Sequence, residues 1–222
     1  MNILIKILRF LVSLLFIPAC VAVTASFYNG LISIKSISDS GLIFLLGALS
    51  YSLLHLVLFK LDFLYVAGHE LMHAVATVFS GGRVKGVKVS SKEGSVKTTT
   101  PNLLVMLAPY LIPGYTVFLA LLYFLLSFII DVTRFSGLCI FLIGFTLMFH
   151  LAYTAQSIKE RQSDLMRTGY LFSISFIYII NLLIVFCIVS FLFKEVSFLD
   201  FLSISYERSK EFYYSFWRQL FL

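Results

Sequence analysis

Charged residues are scarce in this sequence, at 13% of 222 residues, and cysteine, proline and tryptophan are rare. A soluble protein needs roughly a quarter of its residues charged to cover its core, so the soluble globular class is excluded. Disordered, collagen-like and nucleic-acid-binding proteins need polar or periodic sequence, which is also missing. Three cysteines inside apolar runs, Cys20, Cys139 and Cys187, provide neither a disulfide framework nor a thiolate metal site. The net charge of +6 therefore indicates lysines and arginines beside anionic lipid headgroups, with no nucleic acid as a partner.

Long apolar runs stand where the charge is missing, since 60% of the residues are hydrophobic. A transmembrane helix needs about 20 mostly apolar residues, and six runs approach or exceed that length. They cover residues 7–28, 41–59, 63–80, 102–130, 136–156 and 170–193. The first run begins like a secretory signal peptide but is too long for one, so we expect an uncleaved span. The sequence predicts an all-α, multi-pass integral membrane protein with about six transmembrane helices and one domain over residues 1–222.

Three segments depart from plain apolar helix. Residues 81–100 mix valines with polar residues around Ser91-Lys92-Glu93-Gly94, which predicts a small β-hairpin. The run at 102–130 contains Pro109 and Pro113, which we expect to kink or break its helix. The tail at about 197–222 mixes aromatic and charged residues, a mixture typical of a helix that lies in the membrane interface.

The third apolar run contains His69-Glu70-Leu71-Met72-His73, which fits the HExxH pattern. On a helix, positions i and i+4 share a face, so both imidazoles can bind one zinc ion and Glu70 can act on the reacting water. The alternative is a pair of core histidines beside an unrelated glutamate. A charged residue in the middle of a span costs roughly 2.5–3.5 kcal/mol, so three such polar residues together favour the metal site.

A catalytic zinc site normally has three protein ligands, so one more must come from elsewhere in the chain. The candidates are Asp164, His150 and, with less support, Glu160. Asp164 follows the fifth run and reaches the histidines only if the last span begins early and dips inward. His150 lies at a more suitable depth, about 9 Å from the end of its span. An interfacial carboxylate and a hydrogen-bonded core histidine are the alternatives for these two residues, and geometry alone leaves the choice open.

With these motifs the sequence resembles the site-2 proteases, which are membrane-embedded zinc metallopeptidases, and among them the short bacterial type without an added PDZ domain. The resemblance covers roughly residues 65–169, about half of the chain. It rests on Gly68 to Ala74, on Gly81-Gly82-Arg83-Val84, on Ala108-Pro109 with Pro113-Gly114, and on a later aspartate.

This resemblance implies a set of roles for the residues of the motif. His69 and His73 are expected to be zinc ligands and Glu70 the catalytic base, and Asp164 is favoured over His150 as the third ligand. The resemblance also implies a catalytic core at about residues 63–170 that faces the cytoplasm from a bacterial cytoplasmic membrane.

The sequence therefore predicts a zinc-dependent endopeptidase that hydrolyses membrane-protein or membrane-associated peptide substrates within or near the lipid bilayer. A helical substrate hides its amides and must unwind, so we expect the hairpin strand with Val87 and Val89 to hold it by strand addition. Asn102 is a candidate hydrogen-bond donor to that extended backbone, and its alternative is a helix-start residue after Pro101. Two other functions stay open: an inactive homologue that acts as a membrane scaffold or regulator, and a metal transporter. The substrate and the oligomeric state are not assigned.

Overall fold

Helices dominate the structure, a computed structural model that describes residues 3–90 and 93–221. One short β-hairpin interrupts them, and two short helical turns of other types adjoin two of the helices. The helices are α1 (Ile3–Ile32), α2 (Asp39–Leu53, continued by a π-helical turn at Leu54–Leu58), α3 (Asp62–Phe79), α4 (Leu103–Leu111), α5 (Gly114–Leu126), α6 (Ser136–Lys159, preceded by a 3-10 turn at Thr133–Phe135), α7 (Ser163–Thr168), α8 (Tyr170–Leu192) and α9 (Phe198–Phe221). The strands are β1 (Val84–Val89) and β2 (Gly94–Thr98).

The described residues fall into two compact units. The first joins the chain up to Gly41 with the chain from Gly169 onward, so that α1 packs against both α8 and α9. Its core contains Val23, Phe186 and Phe201, and the rings of the two phenylalanines stack with their centroids 4.0 Å apart. The predicted helix in the C-terminal tail is present as α9.

The second unit runs from Leu42 to Thr168 and contains nearly all of the predicted catalytic core. Here α3 packs against α4 and both strands, α4 packs against α7, and α5 packs against α6. Helices α2 and α6 also approach closely, because a Cβ atom at Gly47 or Gly144 would overlap the main chain of Phe141 or Phe44. An aromatic cluster of Tyr51, Phe149 and Tyr153 lies nearby.

Among the described residues, four helices are long and apolar enough to cross a membrane, and a bent pair makes a fifth candidate. The four are Ile3–Ile32, Asp39–Leu58, Thr133–Lys159 and Tyr170–Leu192. The bent pair is α4 with α5, and the angle between these two helices is 73°. The third expected span, residues 63–80, corresponds to α3 and is not among them, because Asp62, His69, Glu70 and His73 lower its apolar content.

The predicted β-hairpin is present between α3 and α4. Strands β1 and β2 pair in antiparallel register, with Val87 opposite Val96 and Val89 opposite Gly94, and an irregularity between Val84 and Gly86. Gly81 has a φ of 72° and carries the chain out of α3, a conformation that favours glycine. Two residues of the predicted turn, Ser91 and Lys92, lie outside the described residues, while the amide of Ser90 bonds to the carbonyl of Glu93 at 2.9 Å.

The expected break in the fourth apolar run lies at Pro113, between α4 and α5. Pro109 does not break the chain but sits inside α4. Because proline has no backbone N–H, the carbonyl four residues before it, that of Val105, loses its usual partner within the helix. This carbonyl takes part in the candidate site.

Candidate metal centre

Three side chains able to bind a metal meet in the second unit. His69 and His73 lie one turn apart on α3, and their Nε2 atoms are 3.1 Å apart. The Oδ2 atom of Asp164, on α7, lies 3.3 Å from Nε2 of His73 and 3.8 Å from Nε2 of His69. Within the described ranges, this is the one group of three or more His, Cys, Asp or Glu side chains close enough to share an ion.

A tight turn after α6 brings Asp164 to the histidines. Arg161 takes the left-handed conformation, with a φ of 52°, and the amide of Gln162 bonds back to the carbonyl of Ser157 at 3.2 Å. The separate short helix α7 then starts at Ser163, and Gly169, with a φ of 99°, separates it from α8. Asp164 therefore arrives on a helix of its own, whereas the sequence suggested an early start of the last span.

The imidazole of His73 is fixed by the carbonyl that Pro109 leaves without a helix partner. Nδ1 of His73 lies 2.7 Å from the carbonyl oxygen of Val105. A carbonyl only accepts hydrogen bonds, so Nδ1 must carry the proton and donate it. Nε2 then keeps its lone pair for a metal, the arrangement that outer-shell partners commonly impose on metal-binding histidines.

A chain of hydroxyl groups fixes His69 in the same tautomer. The hydroxyl of Ser157 donates to the carbonyl of Tyr153 at 2.8 Å, so its oxygen accepts the proton of the Tyr65 hydroxyl, 2.6 Å away. Having given that proton to Ser157, Tyr65 can only accept from Nδ1 of His69, at 3.3 Å. His69 thus also presents Nε2 to Asp164.

Gln162 connects this chain of hydroxyl groups to α4. Its amide nitrogen donates to the Tyr65 hydroxyl at 3.3 Å, and its carbonyl oxygen accepts from the Tyr110 hydroxyl at 2.6 Å. Gln162 stands two residues before Asp164, so the same contacts hold the start of α7 against α3 and α4. The position of the carboxylate is therefore tied to the orientation of the His69 ring.

The geometry of the three ligand atoms fits zinc. With metal–ligand bonds of 2.0–2.1 Å, a tetrahedral ion separates its ligand atoms by about 3.3–3.4 Å, and the three observed separations run from 3.1 to 3.8 Å. Two imidazole lone pairs and a carboxylate this close repel one another unless a cation lies between them. Burial opposes ionisation of Asp164, but when no ion is bound and the imidazoles carry a proton at Nε2, they donate to the carboxylate and hold the pKa of Asp164 below its ordinary value. The carboxylate is thus available as an anionic ligand.

Glu70 lies beside these ligands and is buried, although it is not one of the three. Together with His69 and Asp164 it lines a polar cavity of about 210 Å³ that the first residue of β2, Gly94, also borders. A Cβ atom at Gly94 would come within 2.5 Å of the Glu70 carboxylate and 2.6 Å of Val66. The hairpin therefore closes one side of the cavity, at a distance that only glycine permits.

The other predicted site residues are placed as follows. His150 is buried on α6 and is not part of the metal-binding group in the described portion of the chain. Asn102 caps α4, since its Oδ1 accepts from the amide of Val105 at 2.8 Å. Val87 and Val89 are 51% and 37% exposed on β1. A role of these last three residues in substrate binding stays a prediction.

Sequence reasoning missed Tyr65, Gln162 and Tyr110. One signal was available for Tyr65, which precedes His69 by four residues and so shares its face of α3. Gln162 and Tyr110 gave no comparable signal, because their contact joins two segments that are distant in the chain. Comparisons with family models, curated proteins and solved structures find no match to this chain.

Proposed function

We propose that this protein is a membrane-embedded zinc endopeptidase that hydrolyses peptide bonds of membrane-protein substrates within or near the bilayer. One observation carries the proposal. The Asp164 carboxylate, some ninety residues beyond the HExxH segment, meets both imidazoles at separations suited to one tetrahedral ion, with Glu70 beside them. Two histidines and a carboxylate are a ligand set of zinc hydrolases that leaves one position for a reacting molecule.

The residues of the centre take distinct roles in this reaction. His69, His73 and Asp164 would hold the zinc ion, which when bound would supply Lewis-acid chemistry toward water and the scissile carbonyl. Glu70 accepts the proton of the attacking water and delivers it to the leaving amine. Tyr65 and the Val105 carbonyl keep both imidazoles in the tautomer that binds metal.

The hairpin is the proposed holder of the substrate. A peptide must be extended at the scissile bond, and an exposed strand edge binds extended backbone through main-chain hydrogen bonds. In this proposal Val87 and Val89 contact alternate side chains of the peptide. Oδ1 of Asn102 is used as the cap of α4, and we assign its amide nitrogen to the substrate backbone.

The membrane setting rests on the long apolar helices. In each of the four candidate spans, at most a third of the apolar stretch is buried within the chain. Apolar surface of that extent is stable in lipid rather than in water. We place the protein in the bacterial cytoplasmic membrane as a multi-pass protein, with α3 as an additional span that its bound metal makes tolerable.

Zinc content tests the centre. Detergent-purified, folded wild type is expected to hold one zinc ion per chain, and Asp164→Ala is expected to lose it. His150→Ala is the matched control. It removes the other candidate for the third ligand, which is buried on α6, and should keep the metal. Loss of zinc in His150→Ala but not in Asp164→Ala would reverse the ligand assignment. No zinc in folded wild type, even after metal is added, would favour the scaffold function.

Hydrolysis tests the chemistry. The probe is a quenched-fluorescence peptide with a polyleucine transmembrane segment that a central glycine–proline pair weakens, in detergent micelles. We expect cleavage by zinc-loaded wild type and none by Glu70→Gln, which should keep its zinc. Cleavage by Glu70→Gln at the wild-type rate would remove Glu70 from the mechanism.

A further inference from the structure

We propose that a second, apolar cavity beside His69 binds the side chain of the substrate residue next to the scissile bond, and that it selects a group of about phenylalanine size. The inference rests on the proposed function and adds a substrate preference to it. The cavity measures about 230 Å³ and lies entirely within the second unit.

The walls of the cavity are mostly carbon. They come from α3 through Gly68, Leu71 and Met72, from the broken α4–α5 segment, and from α6. The segment between Pro109 and Phe118 provides a wall that an unbroken helix would not, because the chain turns by 73° there. Engineered apolar cavities of about 150 Å³ hold benzene, so 230 Å³ accommodates a phenyl or similar side chain.

The two cavities share a boundary. Tyr65 and His69 line both the polar cavity with Glu70 and the apolar cavity. A peptide whose scissile carbonyl lies at the metal ligands therefore has an adjacent side chain within reach of the apolar cavity. Because the same two residues border the candidate metal ligands and this cavity, we favour the substrate over a free lipid chain as its occupant.

The cavity has a buried end and an exposed rim. Pro109, Phe149 and His150 are buried, whereas Leu71 and Phe118 at the rim are 59% and 61% exposed. In the proposed membrane setting, exposed apolar residues of this kind face lipid. A side chain of a membrane-spanning substrate can thus enter without first crossing water.

Hydroxamates, which chelate zinc through their two oxygens, probe the cavity without a known substrate. Acetohydroxamate reports on the zinc site alone, and 3-phenylpropionohydroxamate adds a phenyl group that can reach the cavity. We expect the phenyl compound to bind zinc-loaded wild type on the order of 10- to 100-fold more tightly, from the burial of one aromatic ring. Binding of the phenyl compound to zinc-free Asp164→Ala measures its partition into the micelle and is subtracted.

Variants that fill the cavity test whether the higher affinity of the phenyl compound comes from this cavity. Ile112→Trp and Leu71→Trp place a large side chain at two different walls, and either should bring the ratio of the two affinities toward one. Val117→Trp and Val78→Trp are the matched controls, because both valines are exposed, at 41% and 64%, on the same segments but outside the cavity. The controls should keep the wild-type ratio.

The outcomes separate the two proposals. Equal affinities of the two hydroxamates for zinc-loaded wild type, or an unchanged ratio in both filling variants, would overturn the cavity assignment and leave the zinc site standing. A folded wild type that binds neither zinc nor acetohydroxamate would overturn the proposed function, and the cavity assignment with it.

Discussion

Both histidines of the centre are anchored through Nδ1, which leaves Nε2 of each ring close to Asp164. The anchors are a main-chain carbonyl and a tyrosine whose own proton is committed elsewhere, so neither ring can change tautomer without breaking a hydrogen bond. Such partners commonly govern metal affinity by 10–100-fold. If the centre holds the proposed zinc ion, its affinity therefore depends on residues that do not themselves bind the metal.

Tyr65→Phe tests that dependence. The variant removes the hydroxyl that accepts from His69 and from Gln162, so His69 loses its orientation and Asp164 loses part of its support. We expect zinc affinity, measured by competition with a chelating dye, to fall roughly 10-fold or more. Tyr123→Phe is the control, because its hydroxyl bonds to the carbonyl of Val132, away from the centre. Equal zinc affinity in the two variants would contradict the assigned role of Tyr65.

Pro109 contributes to the centre because it has no backbone N–H, so the Val105 carbonyl stays free to accept from His73. Alanine at this position would restore an N–H directed at the Val105 carbonyl, which His73 now uses as its acceptor. We expect Pro109→Ala to weaken zinc binding by roughly 3- to 10-fold, the range of one hydrogen bond under competition. Pro101→Ala, outside the helix, should leave the affinity unchanged. A Pro109→Ala protein with wild-type zinc affinity would show that the Val105 carbonyl accepts from the restored N–H and from His73 together, without loss to the metal site.

At this scale the sequence predicts part of the centre. His69, Glu70 and His73 follow from their spacing, because any helix brings positions i and i+4 together. Asp164 was a candidate from the residues alone and was favoured over His150 only through the resemblance, because its position depends on a left-handed turn at Arg161, a conformation that residues other than glycine seldom adopt. The contact between Gln162 and Tyr110 is likewise a product of packing and has no local pattern.

At the scale of elements, the hairpin approaches α3 closely where Gly94 lies against the Glu70 carboxylate. Gly94→Val would place a branched side chain against Glu70 and Val66, which must move the strand or the carboxylate. We expect peptide cleavage to fall at least 10-fold while zinc is retained, since the three ligands are elsewhere. Gly86→Val is the control on the partner strand, where a Cβ atom meets nothing within 4 Å. Wild-type cleavage by Gly94→Val would detach the hairpin from catalysis.

Helices α2 and α6 cross closely at glycines in the second unit. A Cβ atom at Gly144 would overlap the main chain of Phe44, which cannot move aside as a flexible side chain can. We expect Gly144→Val to destabilise the protein by about 1–3 kcal/mol, measured as a lower midpoint of thermal unfolding in detergent. Gly137→Val on the same helix should change little, because its nearest neighbour, Ile43, is 3.7 Å from a Cβ atom. Similar midpoints for both variants would contradict a close crossing.

Elements follow from the sequence more closely than their contacts do. The hairpin, the break near Pro113 and the long apolar helices all appear where composition and proline place them. The assignment of α3 as a span does not follow from apolar content, because the polar residues of the HExxH segment lower its hydropathy. Pro109 was expected to kink or break its helix, and it sits within α4, where it leaves the Val105 carbonyl without a helix partner.

At the scale of the whole molecule, the expected surroundings of the chain decide its stability. Large apolar side chains are exposed along α1, α2 and α5, among them Leu4 at 70%, Leu49 at 63% and Phe118 at 61%. Water does not stabilise a surface of this kind, whereas a bilayer does. The polar groups of the centre then need internal partners, and the bonds of Tyr65, Ser157 and Val105 provide them.

The side of the membrane that the hairpin faces can be measured directly. Nine Lys and Arg residues lie on the hairpin's side of the six expected spans and eight on the other side, so charge alone does not orient the chain, and the cytoplasmic placement of the hairpin follows the resemblance to the site-2 proteases. With the three native cysteines changed to alanine, Gly86→Cys offers one thiol at an open position of β1. In intact bacterial cells we expect a membrane-impermeant maleimide to leave it unlabelled, and to label it once the cells are permeabilised. Labelling in intact cells would place the hairpin, and the metal centre beside it, on the outer side of the membrane.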